Sequence, residues 1–313
     1  GLQTVAMAKH TKGSHYNARS VLGPTLSVAE AFYSSNGVPI SEDNSDFWTA
    51  NYPNRYEITT IPDEGNNKYY LQIGEQTAYL HLNREPRFYA SLSFDRGTWY
   101  GDGYTNDEPA NLAFYHFRAK EVSGRQTSED HSYTGYLNKK VCSYKTGLTK
   151  DGFSPYRYSF PIIRLADLYL MYAEALNEAT ENGEFVPAAV YTNIDIVRKR
   201  SGLEGVVDSW KKYSTNPNKP STKEGMREII RKERQIELAL EGVRYHDLRR
   251  WKLARSTYNN TFIRGWSIDQ ENTEDYYVIR NIAQKKYSQK DYLWPVKYDD
   301  IIRNPKLKQN PGW

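Results

Sequence analysis

Between Phe160 and Trp251 the chain carries three runs of apolar residues at helical spacing, and any fold it adopts has to bury them. In FPIIRLADLYLMYAEALNEA, the residues Leu165, Leu168, Tyr169, Tyr172, Ala175, Leu176 and Ala179 recur every three or four positions. That spacing sets them on one face of a helix. Pro161 suits a helix entry, and Gly183 follows the expected end. A second run starts at Pro187, repeats at Val190, Ile194 and Val197, and stops at Gly202. With so short a link, the two should fold back on each other as an antiparallel hairpin. The third run opens with Ser221 three residues before Glu224, the spacing of a capping box. Met226, Ile229, Ile230, Glu233, Ile236 and Leu240 follow at helical spacing, Gly242 marks an end, and HDLRRWKLA reads as a further short helix.

Paired amphipathic helices point to a helical-repeat core, although no fixed period runs through the chain. Outside it, residues 41–67 read as loop, and FYHFRAK (114–120) and TGYLNKKVCSYKT (134–146) read as strands. The expected organisation is a loop-rich lobe over 1–159, a hairpin core over 160–255, and a loop-rich tail over 256–313 packed on the body.

Several chemistries find no support. The six histidines, at 10, 15, 81, 116, 131 and 246, form no HExxH or HxxxH. GxSxG, GxxxxGK[ST] and GxGxxG are absent. Cys142 stands alone, so no intrachain disulfide and no CxxC metal site can form. We therefore expect no catalytic residue, no resident metal and no cofactor. The net charge of +4 comes from 42 basic and 38 acidic residues with interspersed signs. The most basic stretch, Arg227 to Arg234, shares its helix with Glu228, Glu233 and Glu237, so it reads as an ion-paired face and not as a nucleic-acid surface. No run of 18 apolar residues occurs.

Aromatic residues are abundant, at 27 Tyr, 7 Trp and 10 Phe, and most of them should substitute for aliphatic packing. A minority in polar loops could stack on the apolar face of a sugar. Trp48, Tyr52 and Tyr56 fall in the 41–67 stretch; Trp99, Tyr100 and Tyr104 fall in FDRGTWYGDGYTND, with Arg96, Asp102 and Asn106 as hydrogen-bonding neighbours. Two charged groups have competing readings. Arg84, Glu85 and Arg87 around Pro86 are read as an internal ion-pair network. Arg164, Asp167 and Glu174, with Arg244, Asp247, Arg249 and Arg250, are read as fastening one hairpin to the next, the alternative being a charged groove.

RLADLYLMYAEALNEA, IVRKRSGL and IRKERQIELALEGVRYHDLRRW together resemble the C-terminal half of the SusD/RagB family. So do GPTLSVAEAFYSSNGVPI (23–40), REPRFYASL (84–92) and LWPVKYDDIIRNPKLKQNPGW (293–313), in the family's order. The resemblance implies a mainly α fold, with tetratricopeptide-like helical hairpins packed against an irregular, loop-rich lobe with short strands. It implies a non-catalytic, surface-exposed component of the outer membrane that binds an oligosaccharide and delivers it to a SusC-like TonB-dependent transporter. It also implies membrane contact through a lipid anchor that this chain does not carry, and further hairpins before residue 1. The ligand residues carried over on that basis are Trp48, Tyr52, Trp99, Tyr100, Tyr104, Asp102, Asn106 and Arg96. The competing reading is a helical-repeat scaffold or peptide-binding protein without sugar affinity.

Overall fold

The computed structural model describes residues 2–9, 19–101, 112–149, 152–181 and 183–313. Its first half is built from short pieces. Helices α1 (Leu26–Ala31), α2 (Asp46–Asn51) and α3 (Pro86–Ser91) alternate with three-residue strands. The strands pair as antiparallel ladders: β1 (Ile58–Thr60) with β2 (Gln76–Ala78), β3 (Leu92–Phe94) with β6 (Tyr136–Asn138), β4 (Thr98–Tyr100) with β5 (Leu112–Phe114), and β7 (Gly147–Thr149) with β8 (Gly152–Ser154). A lone hairpin is marginal in water. These hold because residues such as Leu92, Phe94, Tyr136 and Leu137 are buried in the common core.

Two expectations for this lobe need correction. The 41–67 stretch is not all loop. It contains α2 and β1, and α2 forms because Phe47 and Trp48 pack inward, which compensates for a helix too short to persist by propensity alone. The strands expected over 114–120 and 134–146 shrink to Leu112–Phe114 and Tyr136–Asn138.

The second half is helical: α4 (Leu165–Ala179), α5 (Ala188–Arg200), α6 (Val206–Tyr213), α7 (Lys223–Glu237) and α8 (Val243–Arg250). Helix α4 packs against both α5 and α7. Val190, Ile194 and Val197 of α5 and Met226, Ile229, Ile230 and Ile236 of α7 are buried, as their spacing requires. Each fully buried aliphatic side chain is worth about 1.5–3 kcal/mol. A third correction concerns α4. Its buried positions are Ala166, Leu170, Ala173 and Asn177, whereas Leu165 is 61% exposed and Tyr172 55%. The helix has two apolar stripes, and small Ala166 and Ala173 let α5 and α7 approach on the narrower one. The broader stripe faces outward.

After α8, the strands β9 (Phe262–Trp266) and β10 (Ile279–Gln284) form a bulged hairpin. It sits beside α1 and sends Trp266 into the core with Tyr276 and Tyr277. A single connected core runs from Met7 to Tyr277, with a satellite of Leu248, Ala254 and Tyr287.

The cap of α7 is displaced by one residue from its expected place. Ser221 lies in a 3-10 turn and donates to Asn218 O, while Thr222 Oγ1 accepts from the Gly225 amide at 3.1 Å. Thr222→Ala should therefore cost about 1 kcal/mol in urea unfolding. Ser221→Ala should cost clearly less; the reverse order would return the cap to Ser221.

Candidate functional site

Five of the eight residues expected to bind ligand can be located. Trp48 sits on α2 and is 1% exposed. Its indole N–H donates to Asn83 O at 3.4 Å, its ring meets Phe47 edge-on, and the Arg84 guanidinium lies 5.8 Å from it. Trp99, opposite Ala113 in the β4–β5 ladder, is 4% exposed, with the Lys139 ammonium 5.9 Å from its ring. Both tryptophans are core residues and present no face to a sugar. Arg96 is also buried; its guanidinium lies among Glu121 at 2.7 Å, Glu75 at 3.1 Å and Asp95 at 3.4 Å. Glu121 takes a donor from each Nη, and Nε is buried, out of reach of a ligand hydroxyl.

Tyr52 and Tyr100 are half-buried, so each keeps part of its surface open. Tyr100 donates its hydroxyl to Tyr69 O at 2.9 Å. Asp102, Tyr104 and Asn106 lie outside the described residues, in the connection between β4 and β5. The structure thus places Arg96, Trp99 and Tyr100 around one hairpin, and Trp48 and Tyr52 on and just after α2.

Around Tyr52 there is a surface that the sequence did not single out as a unit. The Arg55 guanidinium is held between two rings, 4.6 Å from Tyr52 and 4.2 Å from Tyr56. It also bonds Glu30 at 3.1 Å, and Arg264 reaches the other Glu30 oxygen at 2.9 Å. The Tyr56 hydroxyl donates to Glu30 as well. Burial, reinforced by that hydrogen bond to an anion, pushes Tyr56 up to about 12. All these residues are half-buried. Chemically this is a fixed ledge of aromatic face with a guanidinium and a carboxylate at its edge. Arg55 and Glu30 were missed because they are 25 residues apart, and no local pattern announces the pairing.

Beneath the surface, the charges flanking Pro86 form the internal network expected of them. Arg84 donates to the carbonyls of Ala29, Phe32, Tyr33 and Leu80, which closes the end of α1. Glu85 accepts from the Tyr33 amide at 2.8 Å and from Arg87 at 2.6 Å. Arg87 continues to Glu233 at 2.9 Å, and Glu233 to Arg198 at 2.7 Å. Arg198 then donates to Gly37 O, where a Cβ would come within 2.5 Å of the guanidinium. Gly37 also has φ +75°, so two constraints select glycine there. A second branch runs from Arg234 to Asp247 and Asp167, and from Arg250 to Asp247 and Glu174. Asp247, Arg250, Asp167 and Glu174 therefore fasten helices together. Arg244 does not share that role, having no ion pair among the described residues.

The other reactive groups are quiet. His81 is buried between Thr77 Oγ1 and the Tyr136 hydroxyl, and burial, with Arg84 nearby, lowers it to about 3. Burial pushes the Cys142 thiol up to about 12. Among the described residues no three His, Cys, Asp or Glu side chains are grouped to hold a metal, and no helix is long and apolar enough to cross a membrane.

Comparison with known proteins agrees with this architecture. The SusD family model matches residues 3–313. SusD-like protein P2 of Formosa agariphila is 29% identical over 152 residues, which is 48% of this chain and 25% of that protein. The solved structure of selenomethionine BT4246 superimposes with a TM-score of 0.75 at 26% identity, covering 98% of this chain and 50% of that one. A SusD-like carbohydrate binding protein of Bacteroides fragilis NCTC 9343 aligns with a TM-score of 0.57 at 21% identity, over 91% of this chain and 48% of that one. At that identity it shows the shared fold alone. The chain spans about half the length of these solved structures. With the match running from residue 3 to the last, the chain belongs to the SusD family.

Proposed function

We propose that this chain is part of a surface glycan-binding protein of the outer membrane, which captures an oligosaccharide and passes it, uncleaved, to a SusC-like TonB-dependent transporter. Membership of the SusD family over residues 3–313 carries this reading. The description of one Bacteroides fragilis relative as carbohydrate binding supports it. So does the chemistry of the Tyr52 ledge, which offers a ring face with donor and acceptor groups beside it.

The sugar is proposed to stack on Tyr52, with the half-buried Glu30, which retains lone pairs beyond those used by Arg55, Tyr56 and Arg264, accepting from a hydroxyl. Tyr100 and the connection that follows it, with Asp102, Tyr104 and Asn106, form the second contact. One stacked ring is worth on the order of 1 kcal/mol, by analogy with aromatic pairs. Two or three such rings together with several hydrogen bonds at their rims, each worth about 1 kcal/mol, give affinities of roughly millimolar or somewhat tighter, which suits a carrier that must also release. In calorimetry against an oligosaccharide panel, Tyr52→Ala should weaken binding about fivefold, the factor that about 1 kcal/mol implies, with little change in melting temperature. Reducing-sugar release should stay at the blank level. A protein that binds no member of a broad glycan array would sink the reading, and release abolished by one carboxylate substitution would replace it with hydrolysis.

A further inference from the structure

We propose that the cleft bounded by α7, the start of α8, Trp210 of α6 and the segment after α1 is a binding site for an oxyanion: a sulfate, a phosphate or a carboxylate. The cleft has a volume of about 450 Å³, within the range of about 300–1,000 Å³ usual for small-molecule sites.

The charges in it do not balance. Lys219, Arg231, Lys232 and Arg244 line it, against Glu42 and Glu228. Both carboxylates are taken by Lys219, at 2.7 and 3.1 Å. Arg231, Lys232 and Arg244 have no carboxylate within ion-pair distance among the described residues. This is local to the cleft. On the same two helices, Arg227 pairs with Glu178, Arg234 with Asp247 and Arg250 with Glu174. Arg249, the remaining arginine of these helices, is satisfied outside the cleft by the Tyr245 hydroxyl and Tyr292 O.

A second observation is independent of charge. Native structures leave few buried polar atoms without a partner. Three such atoms belong to residues of this cleft: the Tyr33 hydroxyl, the Trp210 indole N–H and the Arg231 Nε–H. Every one can donate. With the Lys232 ammonium and the Arg244 guanidinium, the lining combines these donors with an excess of positive charge, beside the neutral Ser41 and Gln235. A ligand with several acceptor oxygens and negative charge complements that, and a neutral donor-rich ligand does not. The guanidinium groups of Arg231 and Arg244 also lie over the Trp251 ring, at 4.9 and 5.8 Å, so they are held before any ligand arrives.

Lys232 gives the site a pH dependence. Burial, then repulsion from Arg244, Arg84 and Lys219 against the weaker pull of Glu42, lowers it to about 8. The bound anion favours the protonated form. Affinity should hold below pH 8 and fall as pH rises through that value.

This inference does not rest on the glycan reading, since the site can take an inorganic ion. The test is calorimetry at pH 7 and constant ionic strength in chloride, with sodium sulfate, glucuronate and glucose 6-sulfate as probes and glucose as the neutral control. The expected result is saturable, one-site binding of at least one anion and none of glucose. Lys232→Met and Arg244→Gln, each confirmed folded by circular dichroism, should each weaken it about tenfold, the usual weight of one charge-assisted hydrogen bond. Binding of sulfate as tightly as of the acidic sugars identifies a free anion as the ligand. Binding of the acidic sugars alone identifies an anionic sugar. Equal affinity in wild type and both variants, or no saturable heat with any anion, overturns the proposal and leaves a cleft of solvated cations.

Discussion

Glu233→Ala should lower the free energy of unfolding by about 3–5 kcal/mol, the cost of stranding buried charge by removing its partner. Glu233 is fully buried and accepts from two buried guanidinium groups, Arg87 at 2.9 Å and Arg198 at 2.7 Å. After truncation Arg87 keeps Glu85 and a longer contact of 3.4 Å to Glu237. Arg198 keeps only neutral acceptors: Glu204 O, Gly37 O and Ser209 Oγ. Losing the aliphatic part of the side chain adds roughly 1 kcal/mol per buried methylene at most, so the electrostatic term decides the outcome. Glu233→Gln preserves volume and one acceptor, and should cost less than Ala. Urea unfolding of both variants is the measurement. A loss under about 1.5 kcal/mol for Ala, in the range of an exposed or ordinary polar contact, would mean that the network is solvated and carries little of the fold.

The same network sets the response to acid. Burial pushes Glu237 up, but hydrogen bonds from Arg164 and Arg200 outweigh it and hold the carboxyl below its ordinary 4.5. Glu174 and Glu178 are lowered in the same way, against burial, by Arg250 with Trp251 and by Arg227 respectively. A carboxyl with a depressed folded-state pKa contributes stability that is complete above its unfolded value. It is lost as pH falls through the folded value. Glu85 runs the other way: burial raises it above 4.5 despite Arg87, so its charged form costs stability near neutrality. Acid unfolding should therefore begin below pH 4.5, from the helix-fastening carboxylates and not from Glu85.

Long-range order was legible in the sequence where a period could accumulate. Val190, Ile194 and Val197 repeat over two turns, and their burial followed. Helix α4 repeats equally well but on two stripes, and choosing between them requires knowing which side α5 and α7 occupy. The charges around Pro86 were readable as internal because apolar residues surround them on both sides. Short elements gave no such purchase. A three-residue strand such as β4 or a six-residue helix such as α2 is too brief to show a period, so Trp48 and Trp99 looked like loop aromatics. Their burial is set by partners far along the chain, Asn83 for one and Ala113 for the other. The unpaired state of Arg244 was likewise invisible, because pairing is decided between helices and not within them.

Trp99→Ala should destabilise the protein by about 3–5 kcal/mol, the range for removing a large buried aromatic. Trp99 is 4% exposed, and the strand it occupies is only three residues long. Its neighbours are tied to it through the backbone. Lys139 donates to the carbonyls of Tyr89 and Thr98 at 2.8 and 2.9 Å, and its ammonium faces the indole. Burial holds that ammonium down at about 8, so the pocket tolerates the charge only with both carbonyls in place. Truncation opens a cavity beside it and should loosen the whole β4–β5 hairpin, from which the connection containing Asp102, Tyr104 and Asn106 departs. Any loss of sugar binding in this variant would then follow from lost structure and not from a lost platform. Tyr100→Ala separates the two effects. It removes one hydrogen bond to Tyr69 O, worth about 1 kcal/mol, and half-exposed ring surface. If Trp99→Ala melts like the wild type while binding falls tenfold, the indole is on the ligand surface and the core drawn around it is wrong. If it melts early and Tyr100→Ala alone weakens binding at an unchanged melting temperature, the hairpin holds the site and its outward tyrosine meets the ligand.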